Sequence, residues 1–305
     1  MIILYGIFEN TIDVTEICYN KLLRKNIITI PNGDEIKQYL FKDPAPGIVK
    51  KIFVVNDGKL TVYNDNLIIK INIINNTIST IDATITTNEV DNFKKKLKKI
   101  QENLQIKYGT FMDEYSEQLM CTRYLTGCEN VLEIGGNIGR NSLIIASILK
   151  ENNGKLVTLE SDINIASKLC ENRDINKFTF PVEKSALSKK KLIQKEWVTI
   201  PSESLLDGYK WVNTITLEEL EIKYNVKFDT LVLDCEGAFY YILMDMPEIL
   251  DNIKLIIVEN DYDNIEKKNY VDEVLTSHGF YVHYQELYQG YPGPCYSCFY
   301  EAWKK

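Results

Sequence analysis

Acidic side chains close several apolar runs in this chain, and glycines cluster beside the first. Val131-Leu132-Glu133-Ile134-Gly135-Gly136-Asn137-Ile138-Gly139-Arg140-Asn141-Ser142 joins an apolar run, an acid, three glycines and a helix-like run from Leu143 to Leu149. That order reads as strand, tight turn, helix. Glycine permits the sharp turn and lets a ligand lie against bare main chain. The free N–H groups of the helix start then face that ligand. Later runs stop in a similar way. Lys155 to Leu159 ends in Glu160-Ser161-Asp162, and Phe180 to Val182 leads into Ser185-Ala186-Leu187-Ser188. Phe228 to Leu233 ends in Asp234-Cys235-Glu236-Gly237, and Ile253 to Val258 ends in Glu259-Asn260-Asp261. Carboxylates at neighbouring strand ends can accept ribose hydroxyls, take a proton or hold a hard cation.

These elements predict an α/β fold with a doubly wound sheet, whose ligands bind at the carboxyl ends of the strands. Glu160 lies about 20 residues beyond the glycines, where a carboxylate can accept from both ribose hydroxyls. The dinucleotide fingerprint needs a second glycine where this chain has Asn137, so a pyrophosphate fits poorly. A ligand without phosphates suits the turn better. S-adenosylmethionine (SAM) is one, with Glu133 facing its cationic amino-acid end.

From about Tyr108 to Lys305 the chain resembles class I SAM-dependent methyltransferases of the FkbM type. The resemblance rests on the Glu133–Ser142 turn, Glu160-Ser161-Asp162, Ser185-Ala186-Leu187-Ser188 and Thr214-Ile215-Thr216-Leu217-Glu218-Glu219-Leu220. Its most restrictive piece is Leu233-Asp234-Cys235-Glu236-Gly237-Ala238, followed by an apolar helix and Val258-Glu259. Phe239 stands where the family usually has an acid. The turn is also similar to that of large-DNA-virus members, and the Ile-, Asn- and Lys-rich composition fits an AT-rich genome. The resemblance implies a Rossmann-like class I methyltransferase sheet with an antiparallel last strand. It also implies methyl transfer to an oxygen, often on sugars or secondary metabolites. SAM would be held by Glu133, Gly135, Asn137, Gly139, Glu160 and Ser161, with Ser185 and Ala186 near the adenine.

Methyl transfer from a sulfonium is an in-line displacement that requires an aligned, deprotonated acceptor. Asp234 is the first candidate base and Glu236 the second. The alternative is that Asp234 faces the donor while Glu236 takes the proton. The structural alternative is that Asp-x-Glu-Gly only caps the following helix. Asp234, Glu259 and Asp261 could together hold Mg²⁺; otherwise Glu259 positions the acceptor. A glycan hydroxyl is the expected acceptor. The rivals are a ribose 2′-O-methyltransferase on capped RNA, for which Lys107 and Lys254 would flank the acid, and a non-catalytic binding protein on the same scaffold.

The net charge of -8 counts against a phosphate-tracking nucleic-acid partner. No apolar run approaches the roughly 18 residues of a membrane span. Met1-Ile2-Ile3-Leu4-Tyr5-Gly6 lacks the features of a signal peptide, and the cysteine number is odd, so a cytoplasmic location is expected, the host cytoplasm if the chain is viral. Cys295-Tyr296-Ser297-Cys298 is a lone CxxC, more simply read as two packed cysteines than as half a zinc site.

Residues 1–85 read as a β-rich accessory domain. Ile52 to Val55 and Leu60 to Tyr63 flank Asp57-Gly58, a strong hairpin signal. Asn64-Asp65-Asn66 then leads to a run from Leu67 to Ile73, and another follows from Ile78 to Ile81, as a meander. Substrate presentation, oligomer contact or stability are the expected roles, and homo-oligomerisation stays open. Residues 86–108 read as a connecting helix: Thr86 with Glu89 resembles a capping box, and Phe93, Leu97, Ile100 and Leu104 recur at helical spacing among lysines. Residues 109–305 form the methyltransferase-like domain. Its aromatic carboxyl terminus reads mainly as two packed strands, with Gly290-Tyr291-Pro292-Gly293-Pro294 as a loop for acceptor contact.

Overall fold

The computed structural model describes residues 1–24, 26–82, 87–288 and 291–305, with the side chains of residues 24, 35, 82 and 87–89 left aside. The capping-box pair Thr86 and Glu89, and Gly290 of the carboxyl-terminal loop, therefore lie outside the described residues. The chain divides into two compact units, Met1–Thr86 and Thr87–Lys305.

The first unit contains β1 (Ile2–Ile7), β2 (Asn10–Asp13), α1 (Thr15–Ile17), β3 (Leu23–Arg24), β4 (Ile27–Ile30), α2 (Asp34–Phe41), β5 (Lys51–Asn56), β6 (Lys59–Tyr63), β7 (Leu67–Asn72) and β8 (Thr77–Asp82). They form two four-stranded antiparallel sheets, β2-β1-β5-β6 and β3-β4-β7-β8. The β5–β6 hairpin is present with Asp57 and Gly58 at φ 50° and 75°. The meander does not continue past it. At Asn64–Asn66 the chain changes sheets, and β7 pairs with β4 and β8. An ion pair fixes that change. Lys37 on α2, fully buried, donates to the side chain of Asp65 at 2.5 Å and to its carbonyl at 2.9 Å. Lys50, also fully buried, lies 2.9 Å from carboxylate oxygens of both Asp34 and Asp43. A buried ammonium is tolerable only with such partners.

The second unit begins with α3 (Thr87–Glu102) and α4 (Tyr115–Tyr124). It continues with β9 (Asn130–Ile134), α5 (Arg140–Leu149), β10 (Lys155–Leu159), α6 (Ile163–Ile175), β11 (Val182–Glu183) and β12 (Ala186–Leu187). Next come β13 (Leu192–Lys195), β14 (Val198–Pro201), β15 (Lys210–Val212), β16 (Thr214–Ile215) and α7 (Leu217–Tyr224). It closes with β17 (Thr230–Leu233), α8 (Phe239–Asp245), β18 (Leu255–Glu259), α9 (Ile265–Ser277), β19 (Tyr281–Glu286) and β20 (Tyr300–Lys304). Seven strands form one sheet in the order β11-β10-β9-β17-β18-β20-β19. The first five run parallel, and β20 is antiparallel to both its neighbours. This is a doubly wound, Rossmann-like α/β sheet with an antiparallel last strand, as the sequence led us to expect.

Alternation along the strands builds two cores. Leu132, Ile134, Leu231, Leu233, Ile256 and Val258 pack with residues of α7, α8 and α9 on one face. Val131, Val232, Leu255 and Ile257 pack with α3, α4, α5 and α6 on the other. Phe239, at the position where an acid was expected, belongs to the first core and is 1% exposed, so burial explains its apolar character. The carboxyl-terminal rings Phe299, Tyr300 and Trp303 are likewise buried.

Strand β9 ends in a turn that only glycine fits. Gly135 has φ 92°, and a Cβ there would lie 1.6 Å from the carbonyl oxygen of Asp234. Gly135→Ala is therefore expected to destabilise the unit by about 3 kcal/mol, from a left-handed φ plus a backbone clash. Denaturant unfolding checks this, and a loss under about 1 kcal/mol would show that the two strand ends can separate cheaply.

Candidate active site

The glycine turn, the end of β10 and the end of β17 open onto one cavity of about 160 Å³. Gly135, Asn137, Glu160, Ser161, Ser185, Ala186, Asp234 and Glu236 all line it. Ala238, Tyr241 and Ile242 from the start of α8 form one wall. Of the sequence-predicted residues, Glu133, Gly139, Glu259 and Asp261 are not part of the lining.

Asn137 takes the place of a glycine because asparagine tolerates the left-handed region; its φ is 46°. Its N–H donates to Glu160 Oε2 at 2.9 Å, and its side chain donates to Glu114 Oε1 at 3.1 Å. Arg140 Nη1 donates to the same Glu114 oxygen at 2.6 Å, tying the turn to the residue that precedes α4. Glu160 also accepts from the Asp162 N–H at 2.8 Å. Both its oxygens are thus aimed by main-chain donors. Burial raises its carboxyl above the ordinary range. Gly139, at φ 92°, ends the turn and precedes α5.

Glu133 does not face the cavity. Its Oε2 accepts from Ser142 Oγ at 2.5 Å and Thr158 Oγ1 at 2.7 Å, and it is 2% exposed. The expectation that it meets a ligand's cationic end gives way to a role beneath the turn, where two hydroxyls satisfy it.

The acids of β17 and β18 meet a partner that the sequence reading missed. Single carboxylate oxygens of Glu117 on α4, Asp234 and Glu259 all lie within 4.8 Å of one another. Asp261 is not in that group; its carboxylate acts on Glu236 instead. The cation-binding set to consider is therefore Glu117, Asp234 and Glu259. Glu117 shares one helical stripe with Met120, Cys121 and Tyr124, all buried. An acid on that stripe was the available signal.

Charge is unbalanced here. Burial, then the carboxylates of Glu114, Glu117, Glu236 and Glu133, push Asp234 well above the usual carboxylate range. Burial, then Asp234 and the facing carboxylate of Glu117, push Glu259 up as well. Glu236 is exposed, yet surrounding protein and the Asp261 hydrogen bond raise it to about 8. It holds a strained φ of 50°. Glu117 Oε2 is buried with no hydrogen-bond partner, so an all-oxygen set with an orphaned atom fits a hard cation.

The lysines considered for RNA do not flank the acids. Lys107 Nζ is 2.5 Å from Glu171 Oε2, and Lys254 precedes β18, at the opposite end of that strand from Glu259. Among the described residues, no lysine, arginine or histidine lines the cavity. His283 packs against Tyr124, with Nδ1 3.0 Å from its hydroxyl.

A roof over the cavity was also missed. Residues 192–212 form a separate three-stranded sheet, β14-β13-β15, and Leu192, Gln194, Trp197, Thr199 and Pro201 line the cavity from it. Its strands are short, and their alternation is masked by the lysines and serines around them.

Burial raises Glu133 to about 7 from an ordinary value near 4.5. The fold thus favours the protonated form, whose contribution is full below about pH 4.5 and is lost as pH rises through 7. Glu133→Gln has no such proton to lose. Its stability relative to wild type should rise between pH 5 and pH 8 in denaturant titrations, and a difference independent of pH would refute the assignment.

No protein-family profile and no curated protein matches the sequence. Among solved structures, the chain is similar to an O-methyltransferase from Bacillus cereus in complex with S-adenosylhomocysteine, at 17% identity over 73% of this chain and 94% of that one, with a TM-score of 0.39. It is also similar to the O-methyltransferase TomG of tomaymycin synthesis from Streptomyces achromogenes in complex with SAM, at 13% identity over 68% and 88%, TM-score 0.38. A third is a ribosomal protein L11 methylase from Lactobacillus delbrueckii subsp. bulgaricus, at 10% identity over 65% and 79%, TM-score 0.39.

Proposed function

We propose that the chain is a SAM-dependent O-methyltransferase of the FkbM type, acting on a hydroxyl of a sugar or glycan. The observation that carries this reading is the cavity's charge. It lies at the carboxyl ends of β9, β10 and β17, is lined by Glu160, Asp234 and Glu236, and has no cationic side chain among its described lining residues. Such a lining repels phosphates and suits a ligand that brings its own positive charge. A sulfonium donor is that ligand, and when bound it supplies a methyl group already activated for displacement.

The chain's own residues do the rest. Glu160 accepts from ribose hydroxyls with oxygens held by the Asn137 and Asp162 N–H groups. Gly135 leaves the turn bare, so a ligand can approach the main chain. Asp234 takes the proton of the acceptor hydroxyl as the new C–O bond forms. Its raised affinity for a proton makes it a stronger base than an exposed aspartate. Glu236, beside it, is the second base. The acidic net charge and the engagement of Lys107 disfavour capped RNA as acceptor.

A second reading adds a metal, favoured by the orphaned oxygen of Glu117 within the Glu117–Asp234–Glu259 group. Those three residues would hold Mg²⁺, which would supply Lewis-acid activation of the acceptor oxygen.

Transfer of labelled methyl from SAM, with a glycan fraction and capped RNA offered in parallel, tests the proposal. Label is expected in the glycan. Label in RNA would replace the acceptor, and SAM binding without any transfer would favour a binding protein. Glu160→Ala should weaken SAM binding by about 1.5–3 kcal/mol, read by calorimetry; an unchanged affinity would sink its role. Asp234→Asn should lower the transfer rate by about 10²–10⁴-fold with SAM affinity largely kept. Removing divalent cations with a chelator should abolish transfer if the metal reading holds, with Mg²⁺ restoring it; undiminished transfer would leave the metal-free route.

A further inference from the structure

The roof sheet has one face turned to the cavity. Antiparallel pairing sets Leu192 opposite Pro201 and Gln194 opposite Thr199, and these four line the cavity. Ile193 and Ile200, the alternate pair, do not. Side chains alternate across a strand, so the Gln194 side chain belongs to the cavity face. Gln194 is 4% exposed, and its Oε1 is buried with no hydrogen-bond partner. Buried amide oxygens are almost always paired, because leaving one unpaired forfeits its hydration without return. The roof therefore holds an amide acceptor that no protein donor satisfies.

We infer that Gln194 reads the amino edge of the cofactor's adenine and makes the site selective for a 6-aminopurine. This rests on the SAM reading above and deepens it. Glu160, Ser161, Ser185, Ala186 and Gln194 line one and the same cavity, so a ligand whose ribose meets Glu160 shares that space with the Gln194 amide. An amide offers an acceptor and donors in one plane, which matches an exocyclic amino group beside a ring nitrogen. Trp197, exposed and on the same cavity, adds a flat indole against which a purine can stack. The insert is thus a specificity element, and Gln194 is its polar contact.

The test is calorimetric binding of S-adenosylhomocysteine and of its analogue in which hydrogen replaces the adenine amino group. Wild type should prefer the amino ligand by about tenfold. Gln194→Leu should bind both ligands alike, by losing affinity for S-adenosylhomocysteine and not for the analogue. Gln194→Glu keeps an acceptor and should keep the preference, which separates lost recognition from a damaged roof. A preference that survives in Gln194→Leu, or no preference in wild type, overturns the inference. Wild type that binds no S-adenosylhomocysteine at all removes the SAM reading beneath it, a result distinct from binding without discrimination.

Discussion

The contact between the main chain of Gly135 and the carbonyl of Asp234 is the constraint on which the rest of the second unit depends. Strands β9 and β17 are parallel neighbours, with Ile134 in register with Leu233. Past that pair the chain turns at Gly135 with φ 92°, which aims any Cβ there at the Asp234 carbonyl oxygen, 1.6 Å away. Only a residue without Cβ lets both chains continue. Because they do, the glycine turn and the acid of β17 open on one cavity rather than on two unrelated loops. The apolar runs on both faces of these strands hold that contact in place, since each face has its own core of helices.

Electrostatics follow from that packing. Bringing strand ends together brings their acids together, and the helix before β9 adds Glu117. The acids find different solutions. Glu133 is satisfied by the hydroxyls of Ser142 and Thr158 and leaves the ligand space. Glu160 is aimed by two backbone N–H groups. Glu236 leans on Asp261. Glu117, Asp234 and Glu259 crowd one another, and a proton or a cation would relieve that repulsion. The first unit solves the opposite problem, with the buried ammonium groups of Lys37 and Lys50 each paired with aspartates.

Much of the second unit was legible in the sequence. Parallel strands buried on both faces leave unbroken apolar runs, and five such runs each stop at a polar residue, so the sheet and its ligand end could be read directly. The Asp57-Gly58 hairpin was legible because a two-residue turn with positive φ has a narrow chemistry. The resemblance named Gly135, Asn137, Glu160 and Ser185 for one ligand, and strand order put Asp234 beside them; all five line one cavity. What stayed hidden depends on contacts between segments distant in sequence. The switch of sheets after β6 is fixed by Lys37 reaching Asp65, and no local pattern announces it. The choice of Glu117 over Asp261 as partner of Asp234 and Glu259 depends on how α4 lies against β18. The roof at residues 192–212 is made of strands too short for periodicity to speak. The sequence by itself determined which residues end the strands and that a glycine turn follows the first of them, because those follow from local sterics and alternation. The tertiary structure alone decided which acids crowd together, which one turns away from the cavity and what covers it, because burial and charge proximity exist only once the segments are packed.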